Sequence, residues 1–320
     1  DLIGASVGCL AAVLLLQWLG GLTLPFFIAA LAVLPATLLA PPNRRRFACG
    51  AVVLLAAIGL GAANHVHQFV NIRSNSVVAE REKLFVGWNF FSRITVEEEP
   101  WFSGWRVSDA YEGPFPEYCR IRQDGHAPAF IAKFDGDFDE VDHLRYDITA
   151  LPYQMLEDIE KVLVIGAGGG RDILTAKLYD TPRVDAVELN PITVNDVMLG
   201  AFREYSGNVY GLEGVRPIVS NGRTYVQATD EHYDLIYTSL ADTLLGNAEG
   251  LYVLSENHLY TVEAMQAYWD KLTPTGAGCI IYSALEQGHL LPRLAGAMIE
   301  ALESRGVEEP ARHLLAIMSP

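Results

Sequence analysis

The sequence predicts an α/β protein centred on a nucleotide-binding strand–helix–strand unit, and three observations in residues 161–190 carry that prediction. Residues 162–165, VLVI, are a continuous apolar run rich in β-branched residues, as expected of a strand buried on both faces of a parallel sheet. The run ends in Gly166-Ala167-Gly168-Gly169-Gly170, and residues 172–179 then read as a helix. A second strand, 184–189, carries Glu188 near its end, about 20 residues after the glycines. Glycines let the chain turn sharply and let a ligand approach the backbone, and an acid at that distance can accept hydrogen bonds from both ribose hydroxyls.

The ligand follows from the details of the turn. A dinucleotide site would read G-x-G-x-x-G, but the third glycine position holds Arg171. Asp172 sits where a helix N-terminus would hold a pyrophosphate, and its charge would repel one. The sulfonium and amino groups of S-adenosylmethionine (SAM) are cationic, and the run GAGGG followed by Arg171-Asp172 is similar to the nucleoside loop of class I SAM-dependent transferases.

Composition narrows the partners. Half of the 320 residues are hydrophobic and the net charge is −16; the mean hydropathy is +0.18. Asp1, Arg44, Arg45 and Arg46 are the charged residues up to position 46, so residues 47–320 carry −18. Such a surface excludes nucleic acid as the expected partner and suits a cationic ligand. Cys9, Cys49, Cys119 and Cys279 have no metal-ligand spacing, which predicts neither a metal site nor a disulfide framework and places the globular part in a reducing compartment.

In chain order, residues 2–43 lack any charge, and 2–20, 22–40 and 47–63 are three apolar runs of about membrane-spanning length. Three transmembrane helices over 1–63 are expected, multi-pass in a bacterial inner membrane. Arg44-Arg45-Arg46 before the third span are matched by Arg73, Arg81 and Lys83 after it, so charge bias leaves orientation open. The globular part is placed in the cytoplasm because SAM is made there. Residues 64–89 read as a linker; His65 and His67 within it read as interfacial rather than metal-binding. Residues 90–145 alternate as short strands around turns such as Asp124-Gly125, predicting a small antiparallel β-domain, with an acid-rich loop at 135–140.

Residues 146–155 read as a helix leading into the first strand, and 146–320 as the Rossmann-like domain. Within it, 191–204 reads as a helix, 215–219 and 233–237 as strands, 261–272 as a helix, 278–283 as a strand and 291–305 as a helix. Ligands of open α/β sheets bind at the strand C-terminal ends, which brings Gly166, Gly168, Gly170, Glu188, Asn221, Gly222, Ser239 and Asp242 to one edge. The chain begins with Asp and ends on what reads as a strand, 313–318, so it is expected to be part of a longer protein.

Taken together, Gln123-Asp124-Gly125, Tyr146-Asp147, the GAGGG turn, Val187-Glu188, Asn221-Gly222, Tyr233-Asp234-Leu235-Ile236 and Leu259-Tyr260-Thr261 resemble, in the same order, the spermidine synthases, and in particular their membrane-fused bacterial branch. The resemblance covers about residues 90–320. It implies the class I methyltransferase/spermidine synthase fold and transfer of an aminopropyl group from decarboxylated SAM to a polyamine. The sequence departs from that family where its chemistry sits. Gly169 stands at the acid of GGGDGG, Ser239 at the loop acid that accepts the amine's proton, Asp147 at a histidine, and Asn221 at an adenine-side aspartate.

The leading expectation is therefore a membrane-anchored transferase with SAM or decarboxylated SAM as co-substrate. Glu188 would hold the ribose, Asn221 with Gly222 the adenine, and the glycine turn with Asp172 the donor's tail. Asp242, with Ser239 and Tyr146 beside it, would orient or deprotonate an acceptor. The acceptor is expected to be a small molecule, cationic or membrane-embedded; a homodimer is left open. The alternatives are a polyamine aminopropyltransferase proper and a non-catalytic nucleoside sensor.

Overall fold

The computed structural model describes residues 2–39, 43–72, 81–104, 107–240, 256–281 and 290–317. The chain divides into two compact units, Asp1–Thr95 and Val96–Pro320.

The first unit opens with three apolar helices, α1 (Leu2–Leu19), α2 (Leu24–Leu38) and α3 (Arg44–His67). Two of them, α1 and α3, are long and apolar enough to cross a membrane, with mean hydropathies of 2.1 and 2.0. Within the second expected span, α2 has 15 residues and reaches about 22 Å at 1.5 Å per residue, against a hydrocarbon core of about 30 Å. Small residues let α2 and α3 pack closely. An added Cβ on Gly61 would lie 2.9 Å from the Phe27 ring, and one on Gly50 would lie 2.1 Å from Thr37. Asn64, buried in α3, donates to Thr23 Oγ1 at 3.0 Å and accepts from the backbone of Val70 at 2.7 Å, so its amide is not left unpaired among apolar neighbours. His65 and His67 lie exposed in the last turn of α3.

The strands β1 (Phe85–Trp88), β2 (Arg93–Glu98), β3 (Tyr118–Gln123) and β4 (His126–Ala132) form a four-stranded sheet in that order. β3 and β4 pair antiparallel around Asp124 and Gly125, both at positive φ as a tight hairpin needs. Glu97, 1% exposed, is held by Arg120 at 2.6 Å and Arg122 at 2.8 Å, so its buried charge is paired twice. Val107 makes an isolated bridge to Asp147; residues 105 and 106 lie outside the described residues.

The second unit is dominated by a five-stranded parallel sheet, β7-β6-β5-β8-β9. Its members are β5 (Lys161–Ile165), β6 (Arg183–Glu188), β7 (Val215–Val219), β8 (Tyr233–Ser239) and β9 (Leu272–Ile281). α4 (Leu151–Met155) precedes β5, α5 (Arg171–Leu178) links β5 to β6, and α6 (Gly222–Ala228) links β7 to β8. α7 (Val262–Asp270) leads into β9, and α8 (Leu290–Glu303) follows it. All five residues of β5 are buried, as its continuous apolar run demands. Strand order reverses between β5 and β8, which opens a crevice at their C-terminal ends. The core on one face joins Leu163, Val226, Ile236, Met265 and Tyr268.

Several local expectations give way to side-chain chemistry. The expected helix at 146–155 is a 3₁₀ turn, Ile148–Ala150, followed by the short α4: the Asp147 carboxylate caps Thr149 N at 2.9 Å, and Pro152 fits only a helix start. Part of the expected acid-rich loop instead forms a 3₁₀ helix, Phe138–Tyr146, capped by Asp137. Residues 191–204 hold a π-helix, Ile192–Ala201, broken by non-helical backbone at Gly200. Of the expected C-terminal strand, His313 ends a 3₁₀ turn, Pro310–His313, and 314–317 are irregular chain; residue 318 lies outside the described residues.

Candidate functional site

Three left-handed residues shape the turn after β5: Gly166 at φ 81°, Gly168 at φ 47° and Gly170 at φ 88°. A side chain would strain each of them. Gly166 N and Ala167 N donate to Val187 O at 2.9 and 3.1 Å, tying the turn to the end of β6. Tyr210 donates its hydroxyl to Gly168 O at 2.8 Å. Glu188 stands beside the turn at the end of β6. Its Oε2 accepts from Gly168 N at 3.0 Å and its Oε1 from Asn190 N at 2.9 Å. Burial pushes the Glu188 carboxyl upward, and the N–H groups of Asn190, Gly168 and Leu189 oppose that rise. The carboxylate is thus oriented by backbone before any ligand arrives.

Asn221 ends the β7 edge and caps α6. Its Oδ1 accepts from Thr224 N at 3.2 Å, and its Nδ2 lies 2.9 Å from His258 Nε2. Gly222 has a packing reason: a Cβ there would lie 2.4 Å from Ile165 Cγ2. Gly169, at the position of the family acid, is held by β4. A Cβ on it would lie 2.1 Å from Phe130 O and 3.0 Å from Ile131 N.

The residue that sequence reasoning missed is Arg171. Its Nε donates to Asp172 Oδ1 at 2.9 Å, and its Nη2 donates to Asp172 and to Ser239 Oγ. Asp172 is buried and its charge is neutralised by this pair, so it is not a free anion at the start of α5. Burial still pushes its carboxyl up, with Arg171 opposing. Arg171 therefore bridges the glycine turn to the end of β8, across the point where strand order reverses. The signal was visible as the misfit at the third glycine position, where it served only to disfavour a dinucleotide. Tyr146 packs its half-exposed ring 5.2 Å from Tyr111. Asp242 lies outside the described residues.

Beside the turn is a small cleft lined by Tyr118, His143, Asp147 and Arg171, with Phe102 and Phe130 as apolar wall. The two phenyl rings stack at 3.6 Å. Tyr118 OH lies 2.6 Å from His143 Nε2. Burial pushes the His143 imidazole down to about 4, although Asp147 and Asp142 favour its cation. In the unfolded chain it titrates near 6.5, so below that pH the unfolded state binds the extra proton. Stability from this site is complete above about 6.5 and is expected to fall as pH drops towards 4. Chemical denaturation of His143→Gln across that window should show a flatter decline than wild type.

No family model matches the chain. In sequence it is similar to polyamine aminopropyltransferase 2 of Aquifex aeolicus, 25% identical over 171 residues, 51% of this chain and 33% of that protein. It is also similar to a polyamine aminopropyltransferase of Korarchaeum cryptofilum, 32% identical over 97 residues, 30% of each chain. The chain thus spans about a third of the length of these curated relatives. Among solved structures it is similar to a spermidine synthase from Thermotoga maritima, at 16% identity and TM-score 0.45, covering 69% of this chain and 63% of that one.

Proposed function

We propose that this chain, which is spermidine synthase-like in sequence, is an alkyltransferase that binds an adenosyl sulfonium at the C-terminal edge of its parallel sheet. The observation that carries the reading is Glu188, fixed by Gly168 N–H across the glycine turn. A carboxylate offers about four acceptor positions, so capacity remains for a ribose hydroxyl beside its backbone partners. SAM and decarboxylated SAM both suit a turn whose third glycine position holds Arg171 in place of a dinucleotide site's glycine. The aminopropyl group is the one the curated relatives are named for.

In this reading catalysis is largely positional. The sulfonium carbon is already electrophilic, and the protein must hold a nucleophile in line with one S–C bond. Asn221 and Gly222 would flank the adenine, and Gly166, Gly168 and Gly170 the donor's tail. Asp242 and Tyr146 would orient the acceptor. α1 and α3 would anchor residues 1–63 in a membrane with the transferase part, 146–320, on the cytoplasmic side, joined through a linker at 64–89 and a β-domain at 90–145.

A second reading, a nucleoside-binding sensor, is favoured by Ser239, which presents a hydroxyl bonded to Arg171 where the resemblance implies an acid. Incubation with labelled SAM or decarboxylated SAM and an amine mixture separates the two: donor consumption supports the enzyme, tight binding without consumption the sensor. Glu188→Ala is expected to weaken donor binding by about 1.5–3 kcal/mol in calorimetry, because hydrogen bonds to a charged group are lost. Unchanged affinity removes Glu188 from the site.

A further inference from the structure

The turn between β1 and β2 is built from within and carries an aromatic tip. Asn89 Oδ1 accepts from Phe91 N at 3.1 Å, from Ser92 N at 2.8 Å and from Ser92 Oγ at 3.2 Å, and Asn89 N donates to Ser92 O at 3.0 Å. An asparagine that bonds its own backbone in this way fixes the loop whatever its neighbours do. The Phe90 ring lies edge-on to Phe91 at 4.9 Å, and Phe90 is still 61% exposed. One residue before the turn, Trp88 packs against the connection between α1 and α2. A Cβ on Gly20 would lie 3.0 Å from its Cδ1, and one on Gly21 would lie 2.7 Å from its Cη2. The indole sits there because both positions are glycine. The tip of the turn and the end of α1 are thereby held together, and at that end of α1 stands Trp18, 81% exposed.

We propose that Phe90 is a lipid contact, seated in the boundary between headgroups and acyl chains beside the end of α1. The inference rests on the anchoring of α1 and α3 in a bilayer. It goes beyond that reading, because it puts lipid against a turn of the β-sheet as well as against the helices. α1 has 18 residues, none of them charged or buried. Its length is about 27 Å at 1.5 Å per residue, close to a hydrocarbon core of about 30 Å. Crossing such a core leaves Trp18 at one face of it, the depth at which tryptophan rings collect. Phe90 follows Trp88 by two residues, about 7 Å of extended chain, so the clamp on Gly20 and Gly21 brings it to the same depth. The apolar surface that Phe90 continues is the outer surface of α1, and lipid is the solvent that suits both.

The experiment reconstitutes the full chain into phosphatidylcholine vesicles and reads tryptophan emission against lipids brominated either near the headgroup or near the chain ends. Phe90→Trp keeps an aromatic ring at an exposed position and leaves the Asn89 turn intact, and the emission it adds over wild type reports the tip alone. Trp18→Phe gives the emission of Trp18 by difference in the same way. The emission added at position 90 is expected to fall about twofold or more with bromine near the headgroup, and less with bromine near the chain ends. The Trp18 emission is expected to follow it. A Phe90→Trp emission that neither lipid quenches overturns the proposal, including the case where it shifts to the blue because a second copy of the chain covers the ring. Quenching of Trp18 in that case leaves the anchoring reading standing; if Trp18 also escapes, the anchoring reading fails with it.

Discussion

Gly169→Asp, which would restore the acid of the resembling family, is expected to destabilise the fold by about 3 kcal/mol and to leave donor affinity no better than wild type. The reason is space. A Cβ at 169 would lie 2.1 Å from Phe130 O and 2.4 Å from Phe130 C, and backbone of a paired strand cannot retreat as a side-chain tip can. β4 would have to shift, and with it the Phe102–Phe130 stack. Gly169→Ala carries the same Cβ without the charge and should lose nearly as much. Denaturant midpoints for the two variants check this; a stable Gly169→Asp with tightened donor binding would show that the cradle can open.

Asp185→Ala should cost a similar amount, about 3 kcal/mol, at the opposite end of the sheet. Asp185, 4% exposed, accepts from Arg216 at 2.9 and 2.7 Å and from Tyr233 OH at 2.7 Å, with Tyr225 OH at 3.2 Å. Its removal takes the shared acceptor from both hydroxyls, which keep each other at 3.0 Å, and leaves Lys161, 3.9 Å away, leaning on Glu231 alone. Burial alone would raise the Asp185 carboxyl, but hydrogen bonds from Arg216 and Tyr233 hold it below the usual carboxylate range. Its contribution is therefore present above the unfolded value near 3.9 and is lost as pH falls below it. Asp185→Asn keeps an acceptor for Tyr233 and should lose less. Equal losses for the Ala and Asn variants would mean that the charge, rather than the hydroxyl partners, carries the effect.

The sheet was legible because its signals are local and strong. The apolar run of β5, rich in β-branched residues and closed by glycines, reads as a buried strand, and the glycines that follow mark three positive-φ positions. Glu188 could be singled out for the same reason: the spacing of a strand–helix–strand unit fixes where the next strand ends. What escaped was chemistry made by distant residues. Arg171 reaches Ser239 across 68 positions of sequence, and Tyr118 reaches His143 across 25. Asp147 was read only as a departure from a family histidine, because burial of a carboxylate cannot be seen in a string of letters. The helix at 146–155 misled for a related reason: its apolar spacing was helical, but a carboxylate cap at 147 and Pro152 decide the backbone there. The second apolar run likewise met a length of about 20 residues on paper, yet its α-helix is Leu24–Leu38.

The most direct test of the central claim is a crystal structure of the chain with decarboxylated SAM bound. The expected structure has the ribose hydroxyls on the Glu188 carboxylate, the nucleoside lying over Gly166–Gly170, and the sulfonium facing the end of β8 near Ser239. A nucleoside seated elsewhere, or a crevice that excludes it while Glu188 keeps only its backbone partners, would contradict it.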